Sequence, residues 1–164
     1  MSPKWSGLAS STRASGVNPA AVFNYPEGAV KPDIIEVAAG LVFRNGKLLI
    51  TRRHATAHQG GLWEFPGGKR EPDESFEDCL CRELREELGI EVAVGELVES
   101  IHHDYPDKSV HLKFFRCRWL AHEPSPIGCD ALAWVTAFEL AQYAFPAADA
   151  RLLAKLRATP ALWD

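Results

Sequence analysis

The sequence predicts an α/β fold, and three observations predict it: β-prone runs joined by a tight-turn dipeptide, one helix with clear start and stop signals, and an amphipathic stretch near the C-terminus. The first two strands are Ile34 to Phe43 and Lys47 to Arg53, joined by Asn45-Gly46, which accepts the positive φ angles of a two-residue hairpin. The helix starts at Ser75, whose hydroxyl can cap it with Asp78 three residues on, and stops at Gly89. Its apolar members Phe76, Leu80, Leu84 and Leu88 recur every fourth residue and form a stripe that packs on a sheet. Ile90 to His102 and Val110 to Leu120 read as two more strands, separated by the loop Asp104-Tyr105-Pro106-Asp107-Lys108, and Ala131 to Val135 adds another. After Phe145-Pro146 a last helix is expected from Ala147 to Arg157, with Leu152, Leu153 and Leu156 facing inward.

At 164 residues, 46% of them hydrophobic, the chain can bury a core without disulfide or metal staples, so a metal would serve chemistry rather than folding. A net charge of -4 supplies no field for duplex or other long nucleic acid, yet allows a small phosphate ester that arrives with a cation. The four cysteines, Cys79, Cys81, Cys117 and Cys129, contain no CxxC pair and read as reduced thiols. No run is long and apolar enough for a membrane span or a secretory signal, so the expectation is a cytoplasmic protein with a small-molecule partner, as monomer or homodimer. Residues 1–33 are rich in Ser, Ala, Gly and Pro and read as a flexible arm; Val22, Phe23 and Tyr25 leave an edge strand or a partner-binding segment as the alternative. The folded domain is expected at residues 34–160.

Glu83, Glu86 and Glu87 stand at i, i+3 and i+4 of the helix, within about one turn, where like charges repel unless a cation lies among them. A hard divalent ion that prefers oxygen ligands is the natural partner. The plain alternative is a solvated acidic face balanced by Arg82 and Arg85. Context favours the metal, because Phe65-Pro66-Gly67-Gly68-Lys69 just upstream is a turn whose paired glycines let the backbone approach a ligand.

Gly68 through Ile90 resembles the Nudix signature, G-x5-E-x7-R-E-U-x-E-E-x-G-U with U a bulky aliphatic residue, and every fixed position matches. They are Gly68, Glu74, Arg82, Glu83, Leu84, Glu86, Glu87, Gly89 and Ile90. The resemblance implies the Nudix fold, a mixed β-sheet sandwiched between α-helices. It implies magnesium held by Glu83, Glu86, Glu87 and the Gly67 carbonyl, with manganese able to substitute, and Glu74 and Arg82 as the supporting layer that orients the carboxylates. The implied reaction is attack of water on a pyrophosphate link, with Glu83 the favoured base.

The resemblance extends to the MutT-like branch, which removes pyrophosphate from nucleoside triphosphates, oxidised guanine nucleotides included, and so cleanses the nucleotide pool in the service of DNA repair. Three stretches carry it: Ile50-Thr51-Arg52-Arg53 with His58, Leu62 through Lys69, and Phe145 through Asp149. It implies a nucleotide site lined by Arg53, His58, Glu64, Phe65, Gly68, Lys108 and Asp149, with Tyr105 and Asp107 on the neighbouring loop. Taken singly, Phe65 also reads as core, Arg53 and Lys108 as solvated strand ends, and Asp149 as the cap of the last helix.

Two departures stand out. Asp149 occupies a position where Asn is usual in this branch, and when ionised it only accepts hydrogen bonds. Gly128 falls where the loop before Ala131-Leu132-Ala133-Trp134-Val135 usually supplies a further glutamate, with Asp130 or Glu123 as candidate replacements. The runner-up activity is a pyrophosphatase for ADP-ribose or a dinucleoside polyphosphate. A non-catalytic nucleotide-recognition module is the reading from another class.

Overall fold

The computed structural model describes residues 34–104 and 108–164; the expected N-terminal arm, Tyr105 and Asp107 lie outside the described residues. The elements follow in the order β1 (Ile34–Arg44), β2 (Lys47–Arg52), β3 (Trp63–Glu64), β4 (Gly67–Lys69), α1 (Phe76–Leu88), β5 (Glu91–Asp104), β6 (Ser109–Ala121), β7 (Ala131–Val135) and α2 (Ala150–Ala158). Asn45 and Gly46 take φ of 51° and 69°, and Arg44 pairs with Lys47, so the hairpin is the two-residue kind that the dipeptide demands.

The main sheet path runs β3-β2-β1-β6-β5, with β4 also pairing β1 and β7 pairing β2. It is mixed: β1 runs parallel to β6, from Ile34 opposite Ser109 to Phe43 opposite Arg118, and antiparallel to β2 and β4. Alternation along β1 gives the two faces. Ala38 and Val42 point to one side, where Leu80, Leu84 and Leu88 of α1 pack on them. Ala39 and Leu41 point to the other side, where they meet Leu152 and Leu156 of α2, Leu140 and Trp163. Leu41, Leu80, Leu84, Leu88, Leu140, Leu152 and Leu156 are fully buried, and each contributes about 1.5–3 kcal/mol of transfer free energy. The sheet is thus sandwiched between helices, as the resemblance implied.

Helix α1 begins and ends for the expected reasons. The Asp78 N–H donates to Ser75 Oγ at 3.0 Å, the Ser75 hydroxyl donates to Asp78 Oδ2 at 2.7 Å, and Gly89 closes the helix in the left-handed region with its N–H on the Arg85 carbonyl. The last helix is shorter than expected. Residues Ala147–Asp149 form a 3₁₀ turn, a tighter winding common at helix starts, and the α-helix begins at Ala150. Strands β3 and β4 are additions to the sequence reading; at two and three residues they are too short to show a period.

Candidate active site

The parallel pairing of β1 with β6 sets Val37 opposite Leu112 and Ala39 opposite Phe114, forming an apolar wall on the α2 side of the sheet. This wall backs a cavity of about 470 Å³, whose other lining includes Arg53, His58, Glu64, Phe65, Gly67, Gly68, Glu83, Glu87, Lys108 and Asp149. All seven residues expected to touch a nucleotide therefore share one cavity with two of the three helix glutamates. Gln59 and Lys69 also line it; the sequence reading gave neither a role, although Gln59 adjoins His58 and Lys69 ends the stretch that begins at Leu62.

The glycine turn is shaped by close contacts. A Cβ on Gly67 would stand 2.0 Å from the Ala38 carbonyl oxygen, and one on Gly68 would stand 2.2 Å from the Glu83 carboxyl carbon. Only glycine lets β4 lie this close to both β1 and the acidic helix.

The carboxylates on and just before α1 divide into two settings. On the outer flank, Arg82 donates from Nε to Glu74 Oε1 at 2.7 Å and from Nη2 to Glu74 Oε2 at 2.9 Å, a two-pronged grip. Its Nη1 reaches Glu83 Oε1 at 2.8 Å and Glu86 Oε2 at 3.4 Å. The Arg82 hydrogen bonds, helped by the Glu71 N–H, hold the Glu74 carboxyl down at about 2. Glu86 is 60% exposed and does not line the cavity. A step of three residues turns the helix about 60° short of a full circle, whereas a step of four overshoots by about 40°, so Glu83 and Glu87 look inward together while Glu86 sits on the rim.

On the cavity side Glu87 has no such guanidinium grip. Burial, then the charges of Glu64 and Glu83, push its carboxyl up to about 8, with the Gly67 N–H and Arg53 only partly opposing. Asp149 is 5% exposed and is raised to about 6, first by burial and next by Glu64. It caps no helix through its side chain, which removes the plain alternative for that residue. Glu64 is itself raised by burial against the pull of Arg53, whose Nη1 donates to Glu64 Oε2 at 2.7 Å. Phe65 belongs to both readings at once. It is buried, stacks on Phe145 at 5.1 Å, meets Phe114 edge-on at 5.8 Å, and still contributes to the cavity lining.

A divalent cation fits this donor set. Glu83, Glu87 and Glu64 offer carboxylate oxygens in one cavity, and their mutual repulsion is relieved by positive charge. Among the described residues no three acidic, His or Cys side chains converge into a complete cage. The proposed stand-ins for Gly128 lie elsewhere: Glu123 pairs with Arg44 at 2.8 Å, Asp130 pairs with His54 at 2.5 Å, and neither lines the cavity.

A glutamate-floored, glycine-hugged cavity of nucleotide size in a mixed-sheet sandwich defines a phosphate-processing hydrolase. The chain belongs to the Nudix family, since the model described as "NUDIX domain" matches residues 38–155. It is 45% identical over 125 residues to the CTP pyrophosphohydrolase of Escherichia coli, covering 73% of this chain and 89% of that one. It is 35% identical over 127 residues to the 8-oxo-dGTP diphosphatase of the same organism, covering 75% and 96%. Among solved structures, that of the E. coli ORF135 protein superposes with a TM-score of 0.70 at 41% identity, covering 84% of this chain and 96% of the other. The chain is accordingly a Nudix hydrolase, of a family that generally requires a divalent metal. Among the described residues no helix is long and apolar enough to cross a membrane.

Proposed function

We propose that this enzyme hydrolyses cytosine and guanine nucleoside triphosphates, oxidised guanine included, to the monophosphate and pyrophosphate, with magnesium as its metal and manganese as a substitute. The observation that carries the reading is the composition of one cavity: helix glutamates and the glycine turn together with the buried Asp149, and Arg53 and Glu64 linking the two groups. Glu87 feels Glu64 and Arg53, and Asp149 feels the same pair, so a triphosphate directed at α1 carries its base toward Asp149.

Glu83, Glu87 and the Gly67 carbonyl would hold the cation, with Glu86 joining from the rim. Bound there, it supplies neutralisation of the phosphate oxygens and a lowered pKa for water. The protein's own groups do the rest. Arg82 fixes one oxygen of Glu83 and leaves the other to take the proton of the attacking water. Arg53, His58 and Lys108 contribute positive or hydrogen-bonding groups for the phosphates, and Phe65 with the β1–β6 wall excludes water around the base.

Asp149 reads the base by protonation state. Ionised, it accepts from the two N–H groups on guanine's Watson–Crick edge; protonated, it accepts from the cytosine amino group and donates to the ring nitrogen beside it. The names of the two E. coli relatives, a CTP and an 8-oxo-dGTP enzyme, support both bases. The test is product analysis of purified protein with canonical and oxidised triphosphates, ADP-ribose and dinucleoside polyphosphates. Monophosphate plus intact pyrophosphate, dependent on magnesium, is expected. Cleavage of ADP-ribose alone, or turnover indifferent to metal, would overturn the assignment.

A further inference from the structure

Two acidic side chains of α1 reach the cavity, and the loop before β7 brings none. Gly128 lies against α1, its N–H on the Glu87 carbonyl at 3.0 Å, and a Cβ there would stand 3.1 Å from Glu87 Cγ. The nearest acids are otherwise employed: Asp130 holds His54 and the Ala55 N–H, at 2.5 and 3.2 Å, and Glu123 holds Arg44. Glu64 of β3, by contrast, lines the cavity with Glu83 and Glu87, and its side chain is only 28% exposed.

Among the described residues its salt-bridge partner is Arg53, and that residue is unfinished. Arg53 Nη1 engages Glu64 Oε2 at 2.7 Å, while Arg53 Nε is buried and, among the described residues, has no acceptor. A buried donor without a partner is a standing invitation to a ligand oxygen, and a guanidinium prefers a phosphate that it can grip with two N–H groups.

On the reading of the site as a metal-dependent nucleotide hydrolase, we propose that Glu64 is a further carboxylate ligand of the divalent cation, in place of the residue missing at Gly128, and that Arg53 holds it until phosphate draws the guanidinium away. Cation and nucleotide then help each other: a phosphate that takes Arg53 frees Glu64 for the metal, and a metal that takes Glu64 frees Arg53 for the phosphate.

The experiment is a titration of the full chain with Mn²⁺, followed by the electron paramagnetic resonance signal of the free ion, without nucleotide and then with an α,β-methylene nucleoside triphosphate. Glu64→Gln keeps the size of the side chain and an oxygen for Arg53, and is expected to weaken Mn²⁺ binding by about ten- to a hundredfold. Arg53→Gln is expected to tighten Mn²⁺ binding in the absence of nucleotide and to weaken binding of the analogue. Wild-type Mn²⁺ affinity in Glu64→Gln overturns the proposal. Should that variant fail to fold, Arg53→Gln decides: tighter binding supports the exchange, and unchanged or weaker binding overturns it. Failure of the wild-type chain to bind Mn²⁺ even with the analogue would instead remove the functional reading beneath it.

Discussion

Glu74 and Glu87 begin with the same ordinary carboxyl affinity for protons and end about 2 and about 8, although both serve the same helix. The difference lies in their neighbours. Glu74 is clasped by Arg82 and by a backbone N–H, whereas Glu87 is buried with Glu64 and Glu83 for company. Compensated carboxylates hold the scaffold, and uncompensated ones wait for an outside charge. The acidic cluster of α1 is therefore two devices on one helix, an arginine-centred clamp on the flank and an electron-rich cavity within.

The sharpest break of this contrast is Glu87→Gln. It removes the most strained carboxylate, and turnover is expected to fall about a thousandfold, read as kcat/KM, with metal affinity lost alongside. The metal-free variant should at the same time melt higher than wild type, since the stability conferred by a raised carboxyl is complete below 4.5 and is lost as pH rises through about 8, so the gain grows with pH and is largest in alkali. Activity lost without any such gain in stability would show that Glu87 is not under strain.

Arg82→Met attacks the other device. It should lower metal affinity by about ten- to a hundredfold through misplacement of Glu83, and lower Tm at neutral pH. The Glu74 carboxyl is depressed, so its contribution is present above the ordinary 4.5 and is lost as pH falls through about 2; the Tm gap between variant and wild type should close over that window. A gap that persists in acid would assign the loss to packing instead.

Asp149→Asn tests the far end of the cavity. Asp149 is raised from 3.8 to about 6, so the stability it confers is complete below the first value and lost as pH rises through the second. The amide should stabilise the protein above about pH 6 by up to about 3 kcal/mol, with no gain in acid. In the wild type, preference for cytosine over guanine nucleotides should decline as pH rises through about 6, and the variant should lose that dependence. The smallest effect belongs to Asp130→Asn. It loosens the His54 end of the loop that carries His58, raising KM slightly while metal affinity stays unchanged. A fall in metal affinity there would return Asp130 to the cation.

Much of this was legible in the chain. The hairpin, α1 with both of its caps, and the glycine turn rest on local rules, so Asn45-Gly46, Ser75, Gly89 and Gly67-Gly68 announce them without help from tertiary contacts. Strands β3 and β4 were not legible, because they owe their form to pairing with β2 and β1 rather than to a pattern of their own. The three glutamates read as one group by spacing, yet only rotation about the helix axis against the sheet decides that Glu83 and Glu87 enter the cavity and Glu86 does not. The partnership of Glu64 with Glu87 joins a short strand to a distant helix, and only the folded chain brings them together. Asp149 was equally readable as a cap or a base reader until its burial was known.

The most direct test follows the side-chain carboxyls of the metal-free enzyme by carbon-13 NMR as pH is raised, with and without Mg²⁺. One carboxyl should titrate near 8, vanish from that range in Glu87→Gln, and lose its proton to the medium when the cation is added. If every carboxyl instead titrated in the ordinary acidic range, or the alkaline one ignored both the mutation and the cation, the cavity would not be the charge-starved site described above.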